Sequence, residues 1–547
     1  MLRVLGIASL WLTAAVAQTN FPPPPAPAWN PPTLHKQLLG MALFFEEQLS
    51  STSTVACASC HDFTHGGGDP RARANFNSGA DGLHGTADDQ HGSPGVSVIL
   101  GNDTMLPVPF FGFGPRVTGR RAPTVINSAY HTHLAYDGSS TTLEQLVGKP
   151  ILNLVEMSRW GRTWADVGQQ LTTATPLLLA SNLPARLQNF VAGRTYPQLF
   201  SLAFGTASID QQAITQALAS YVRTLNSDQS KWDLHLHGQA QLTAQEQLGL
   251  QLFNSAANGA TACNVCHSDF DSRVLLEGPM VGQMTMTTFG PYGAPVPTRL
   301  MFHNIGVRPN SEDNGRQAVT FAAGDVGKFR VASLRNVEHT APYFHNGGAK
   351  TLQEVLDFYD RGGDFHANQA ANLTPRNYTI AEKAAIIALL KTLTDPRLAA
   401  GAAPFDQPTL GSQNGRLVTS IGASAVTSQG PLVAYAPFAP RLGEAGFRLT
   451  LLGAAPGDQA ILMWDVAPAT GAMPFNLQLA VTPAFSLSSM GSMQAVFTVP
   501  SGMLQVPMPL PATPALSGQT FYVQWLVPVP SNHGPVSLSN GLRIPLL

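Results

Sequence analysis

Cys57-Ala58-Ser59-Cys60-His61 and Cys263-Asn264-Val265-Cys266-His267 decide how this chain is read, because together they use all four of its cysteines. A Cys-x-x-Cys pair on one short turn puts two thiols where they can add across the two vinyl groups of a haem. The histidine that follows then lies under the iron as an axial ligand. A zinc site would gather four ligands in one place, and a dithiol redox motif would not need the same histidine twice. Two covalently bound c-type haems are therefore expected, one on Cys57, Cys60 and His61 and one on Cys263, Cys266 and His267.

Outward from these turns the chain repeats itself. Leu39-Gly40-Met41-Ala42-Leu43-Phe44 precedes the first, and Leu248-Gly249-Leu250-Gln251-Leu252-Phe253 precedes the second. Apolar residues three and four apart predict an amphipathic helix in each, delivering the chain to its haem turn. Two related haem domains follow from the repeat, an N-terminal one over 34–232 and a C-terminal one over 233–400. Helical periodicity also covers Ile209–Leu225 and Ile380–Leu393, the latter with Thr379 as its cap and Glu382 three residues on. Past about residue 400 that periodicity stops. Short β-prone runs then alternate with Pro/Gly turns, at Phe447–Leu452, Ala460–Val466, Gln494–Val499 and Phe521–Val527. The fold class expected is mainly α: two cytochrome c-like haem domains, a linker over 401–415, and a small all-β, sandwich-like accessory domain over 416–547. That last region carries no catalytic cluster of His, Asp or Glu, so docking, adhesion or spacing is its expected role.

The net charge of −2 gives no electrostatic case for nucleic acid or an anionic membrane. Charged residues make up only 12%, against 50 Gly and 43 Pro, which points to long loops and β-structure. Arg3, the apolar run Val4 to Val16 and the small residues Ala15-Val16-Ala17 predict a signal peptide over 1–17 cleaved before Gln18. The run is short for a bilayer, so a retained anchor is the weaker reading, and no later stretch predicts an integral membrane span. Periplasmic or secreted location is expected, which suits haem attachment outside the cytoplasm. Residues 18–33 read as a Pro-rich, extended tether. The Gly/Asp/His-rich loop between His65 and Val98 does not have EF-hand spacing and reads as a solvated insertion.

Several separate blocks resemble the bacterial di-haem cytochrome c peroxidases and their MauG-like relatives, from about Leu38 to Pro396. They are Arg121-Ala122-Pro123-Thr124-Val125-Ile126-Asn127-Ser128-Ala129, Tyr136-Asp137-Gly138, Thr142-Leu143-Glu144 and Pro150-Ile151-Leu152-Asn153-Leu154-Val155-Glu156-Met157. Beyond the second haem turn come Phe302-His303-Asn304-Ile305-Gly306, Ser333-Leu334-Arg335-Asn336-Val337, Thr340-Ala341-Pro342-Tyr343-Phe344-His345-Asn346-Gly347 and Phe358-Tyr359-Asp360-Arg361-Gly362-Gly363.

The resemblance implies a peroxidatic N-terminal haem with Glu156 over its iron as the catalytic acid–base, Pro150 narrowing the same pocket and Tyr136 between the haems. Without the surrounding block, Glu156 would read as a capping or surface glutamate, and Tyr136 as a core aromatic. Leu146 stands where the family often has glutamine, leaving Gln145 as the amide that could compensate. Tyr359 takes the place of the methionine ligand of the second, electron-transfer haem, and no Met occurs between Thr351 and Ala400. Tyrosine there is similar to the MauG branch, and a phenolate donor lowers the potential where methionine raises it. One calcium between the domains is also implied, on Asn127, Thr340 and Pro342. Many family members rest with a distal histidine on the peroxidatic iron; Gly112 to Arg121 has none, and His65, His84 and His91 lie in the insertion.

The activity this implies is reduction of hydrogen peroxide with electrons from a small cytochrome c or cupredoxin, with a homodimer left open. A MauG-like oxidase acting by long-range electron transfer is the alternative enzyme. A non-catalytic di-haem electron carrier is the alternative of another class.

Overall fold

The computed structural model describes residues 23–256 without 74–75, 78–88 and 99–114, then 262–267, and 302–417 without 372. Further on it describes 419–421, 426–427, 430–431, 433–436, 448–452, 454–465, 496–499, 503–507, 517, 519–527, 537–539 and 541–546. The expected signal peptide lies outside these residues, as does His84. No helix among the described residues is long and apolar enough to cross a membrane.

The architecture is mainly helical, with antiparallel sheets in the C-terminal region. A helix Leu34–Phe44 leads to the first haem turn and a helix Ala244–Asn254 to the second, each containing its predicted apolar run. Both begin at a threonine. The Thr33 hydroxyl accepts from Lys36 N, and Thr243 forms a reciprocal capping box with Glu246. Each is crossed by a second helix, Gln211–Val222 or Ile380–Lys391, the latter opening on the predicted Thr379–Glu382 box. The repeated glycine explains the close crossing. A Cβ on Gly40 would lie 2.0 Å from Ala217 O, and one on Gly249 would lie 2.1 Å from Ala385 O. Any side chain at either position would force the helix pair apart.

The repeat extends beyond what its sequence suggested. Asn127 and Asn336 both adopt left-handed backbone (φ 59° and 58°) and each opens a single 3-10 turn, Ser128–Tyr130 and Val337–His339. Their side-chain oxygens accept from Ser227 N (2.8 Å) and Asp395 N (2.9 Å), just past the crossing helix of each half. Tyr136-Asp137-Gly138 and His345-Asn346-Gly347 come next, inside the matched bridges Leu134–Ser140 and Tyr343–Ala349. Thr142 and Thr351 then cap the helices Leu143–Val147 and Leu352–Asp360.

The predicted C-terminal runs are strands, observed at Arg448–Leu452, Gln459–Asp465, Val496–Thr498 and Thr520–Val527. They belong to two antiparallel sheets. In one the order is Val496–Thr498, Gln459–Asp465, Thr520–Val527, Gly541–Pro545, Thr419–Ile421; in the other Met503–Pro507, Arg448–Leu452, Val433–Tyr435. Period-two alternation sends Val523, Trp525 and Val527 into one buried cluster with Leu449 and Leu451 of the other sheet.

Three expectations about connecting segments change. The stretch 401–415 is a packed strap: Phe405 and Leu410 join the core of the first half, and Thr409 bridges Ser181. The Pro-rich tether is exposed over most of its described length but is pinned at its end, where buried Asn30 donates to Glu144 Oε1 at 2.7 Å. The insertion is not merely solvated, because its described return, Ser93–Ser97, is buried against the turn that carries Glu156.

Candidate functional site

The first turn is a 3-10 segment, Cys57–Ser59, closed by the hydrogen bond from Cys60 N to Cys57 O. His61 follows, with Nδ1 donating to Gly67 O at 3.1 Å. A carbonyl can only accept, so the proton sits on Nδ1 and Nε2 keeps its lone pair for a metal. Burial holds the imidazole below its ordinary pKa, which keeps it neutral and ligand-competent. Gly66 and Gly67 turn the chain with φ of 61° and 75°, bringing that carbonyl back under the ring.

Glu156 faces the same turn. Its charge is close enough to push up both the Cys57 and Cys60 thiols, after burial, which is the larger cause. Burial raises its own carboxyl to about 7, and Asn153 Nδ2 donates to Oε1 at 3.0 Å. The Asn153–Ser158 turn is held from inside by the backbone of Glu156, Met157 and Ser158 donating to Asn153 O. From outside it is held by Val96 N donating to Val155 O at 3.2 Å. Gly95 makes this possible, since a Cβ there would lie 1.9 Å from Val155 O. Pro150 opens a second short helix, Lys149–Leu152, after the first breaks at Gly148. Gln145 does not serve the pocket: it is exposed and accepts from Thr141. His65 points at Asp62 (3.1 Å) on the His61 side of the turn.

The second turn, Cys263–Val265, opens onto a cavity of about 260 Å³ lined by Cys263, Cys266, His267 and Tyr359. Tyr359 is raised by burial and then by the two thiols, with Arg376 acting the other way, so the phenol faces both cysteines. Arg330 also lines the cavity. Among the described residues its guanidinium meets Ala135 O at 3.3 Å, Val331 O at 3.1 Å and His131 Nε2 at 3.5 Å, and burial lowers it to about 10. A buried guanidinium facing thiols, a histidine and an apolar cavity wall suits a haem, whose carboxylates would neutralise it.

The two halves meet through ring contacts. Tyr136 lies edge-on to His345 with centroids 6.4 Å apart, and Phe329 stacks on the same imidazole at 3.9 Å. His345 is lowered to about 4 by burial and stays neutral. Arg120 spans the junction, bonding Asp137 at 2.7 Å and Asp313 at 2.6 Å.

The expected calcium donors are also found near the junction. Asn127 Oδ1 already accepts from Ser227 N, and Thr340 O accepts from Arg121 Nη1 at 2.8 Å. A guanidinium on the ligand carbonyl, with no carboxylate among the three donors, does not suit a divalent cation. The residues as arranged do not fit calcium.

The family model described as "Di-haem cytochrome c peroxidase" matches residues 35–241, which hold the first turn and Glu156. Over those residues the chain resembles the di-haem cytochrome c peroxidase family. It is 29% identical over 432 residues to cytochrome-c peroxidase IdrP1 of Pseudomonas sp. (strain SCT), covering 74% of this chain and 94% of that protein. It is 28% identical over 400 residues to methylamine utilization protein MauG of Methylophilus methylotrophus, covering 71% and 94%. Among solved structures it resembles a MauG-like protein associated with microbial copper homeostasis, at 26% identity and a TM-score of 0.50 over 73% of this chain and 99% of that one. Relatives of both names identify a di-haem oxidoreductase, and the family match implies two c-type haems.

Sequence reasoning missed Arg330, Gly95 and the pairing of Tyr136 with His345. A signal existed for each: an arginine inside the apolar run Phe329–Val331, a glycine between Pro94 and Val96, and the same spacing from each asparagine to its aromatic residue.

Proposed function

We propose that this protein reduces hydrogen peroxide to water at the first haem, with electrons delivered through the second by a small cytochrome c or cupredoxin. The single observation that carries this reading is inequivalence. The first haem turn faces a desolvated carboxyl near pKa 7, and the second faces a phenol. In this reading 34–232 is the peroxidatic domain, 233–400 the electron-transfer domain, and the protein is exported.

The haems, when bound, supply the two electrons that peroxide reduction consumes. Glu156 as carboxylate takes the proton from one peroxide oxygen. As the acid it returns that proton to the other, so the O–O bond breaks with water leaving. Asn153 holds Oε1, which fixes which carboxylate oxygen is free to work. Pro150 and the Gly95 return narrow access and keep the carboxyl desolvated. Tyr136 and His345 close the distance between the halves with packed aromatic rings. Arg330 would hold haem carboxylates in the second cavity, and His61 and His267 would be the proximal ligands.

Tyr359 favours a second reading, a MauG-like oxidase that stores oxidising equivalents for a protein or organic substrate, because an anionic oxygen donor stabilises the ferric state. Steady-state turnover separates the two. With peroxide and reduced small cytochrome c, the peroxidase reading expects sustained donor oxidation with two equivalents per peroxide. A peroxide-oxidised state that persists in the presence of reduced donor would displace it in favour of the oxidase. Two low-spin irons at all potentials and no reaction with peroxide would leave an electron carrier.

A further inference from the structure

The strap Phe405–Gln407 reaches the loop that carries His61. Gln407 uses both ends of its amide there: Nε2 donates to Asp62 Oδ1 at 3.1 Å, and Oε1 accepts from Phe63 N at 3.4 Å. Phe405 is buried edge-on to Phe63 (6.1 Å), which itself stacks on Phe44 at 5.9 Å, at the end of the first helix. The loop is short and tightly closed. Gly67 N donates to Asp62 O at 2.8 Å and Asp62 N to Gly68 O at 3.2 Å, so the position of Asp62 fixes that of Gly67. Gly67 O is the acceptor of the His61 Nδ1 proton.

The strap has its own anchors on both sides. Glu47 accepts from Gly411 N (2.6 Å) and Ser412 N (3.0 Å), Asn414 donates to Ser181 Oγ at 2.9 Å, and Arg186 pairs with Asp406. Arg416 reaches Leu178 O (2.7 Å), and Arg543 of the C-terminal sheet donates to Gly415 O at 2.6 Å.

We propose that Gln407 is a positioning residue for the proximal histidine of the first haem: it clamps Asp62 and Phe63, and through them the Gly67 carbonyl that orients and polarises His61. The C-terminal β-region is thereby fastened to the loop behind the peroxidatic iron. The physical content is ordinary outer-shell tuning. A carbonyl held firmly against Nδ1–H makes the imidazole a stronger donor, and a carbonyl that recedes makes it weaker. The proposal rests on the reading of His61 as the axial ligand.

The test is resonance Raman of the reduced full-length holoprotein, with redox titration of the first haem. His61→Gly assigns the iron–histidine stretch, and a band that survived it would remove the underlying reading rather than this one. With the band assigned, Gln407→Leu is expected to lower its frequency and raise the first-haem potential. Gln407→Glu, which keeps the acceptor for Phe63 N but repels Asp62, should do the same to a measurable degree. Asn414→Ala loosens the strap away from the loop and should leave both readouts where they were. An unchanged band and potential in the Gln407 variants would overturn the proposal. So would an equal shift in Asn414→Ala, since the effect would then be one of general packing.

Discussion

Glu156→Gln is the sharpest perturbation of the proposed chemistry. Glutamine keeps the shape and can keep an oxygen for Asn153 Nδ2, so the turn around it should survive. What it loses is a proton that can be taken and returned. Positioned acid–base groups contribute about 10²–10⁴-fold to rate, or roughly 3–5 kcal/mol of barrier. The pH dependence can be worked from burial. With the carboxyl at about 7, ionisation is the limiting requirement for the first proton transfer. Roughly one-tenth of the molecules carry the carboxylate at a pH one unit below that value and nine-tenths one unit above, so the wild-type rate should climb about tenfold across the interval. The assay is stopped-flow reaction of peroxide with the half-reduced protein across pH 5.5–8.5, wild type against variant. The variant should be slower by at least two orders of magnitude and flat in pH. A variant within about threefold of wild type, or a wild-type limb that persists in the variant, would refute the assignment of the proton to Glu156.

Other outcomes follow from the same structure. Tyr359→Met should raise the potential of the second haem, read by spectroelectrochemical titration, because a neutral thioether replaces an anionic oxygen; no change would argue against phenolate ligation. Gly40→Ala places a methyl 2.0 Å from Ala217 O and should destabilise the first helix pair by about 1–3 kcal/mol in denaturant unfolding. Glu47 is raised to about 7 by burial, so the folded state binds its proton more tightly than the unfolded state. That contribution is fully present below about pH 4.5 and is lost as pH rises to about 7, an amount of about 1–3 kcal/mol. Glu47→Gln should therefore shrink the fall in stability between pH 5 and pH 8, measured by unfolding at the two pH values.

What could be read from the sequence was what local chemistry determines. The two Cys-x-x-Cys-His turns, the apolar runs before them and the Thr379–Glu382 box each carry their own signal within a few residues, and each has its counterpart in the structure. The β-prone runs near Arg448, Gln459 and Thr520 were equally local, since alternation and turn residues suffice to mark a strand. Contacts between distant segments were not legible. Nothing near Gln407 announces that its amide will close on Asp62, more than three hundred residues earlier. Nothing near Gly95 says that it must fit under Val155. Arg121 sits in a sequence motif, and only the fold brings its guanidinium to the Thr340 carbonyl.

The inequivalence on which the proposed function rests has a simple origin in the duplicated frame. One constant offset in numbering carries Gly40 onto Gly249, Asn127 onto Asn336, Tyr136 onto His345 and Thr142 onto Thr351; the same offset carries Pro150 onto Tyr359. In the second half the helix runs unbroken from Leu352 through Tyr359, and the phenol projects into the haem cavity. In the first half the helix ends at Gly148 and restarts at Lys149, so that Pro150, a residue with no donor atom in its side chain, sits in the new first turn. A position able to ligate in one copy is therefore mute in the other, and the next few residues, Asn153 to Glu156, offer a carboxyl at about 7 in its place. On the proposed reading, a capped iron and an open one need not come from two different folds: the helix break at Gly148, Pro150 at the ligating position and the turn that carries Glu156 separate them within one repeated frame.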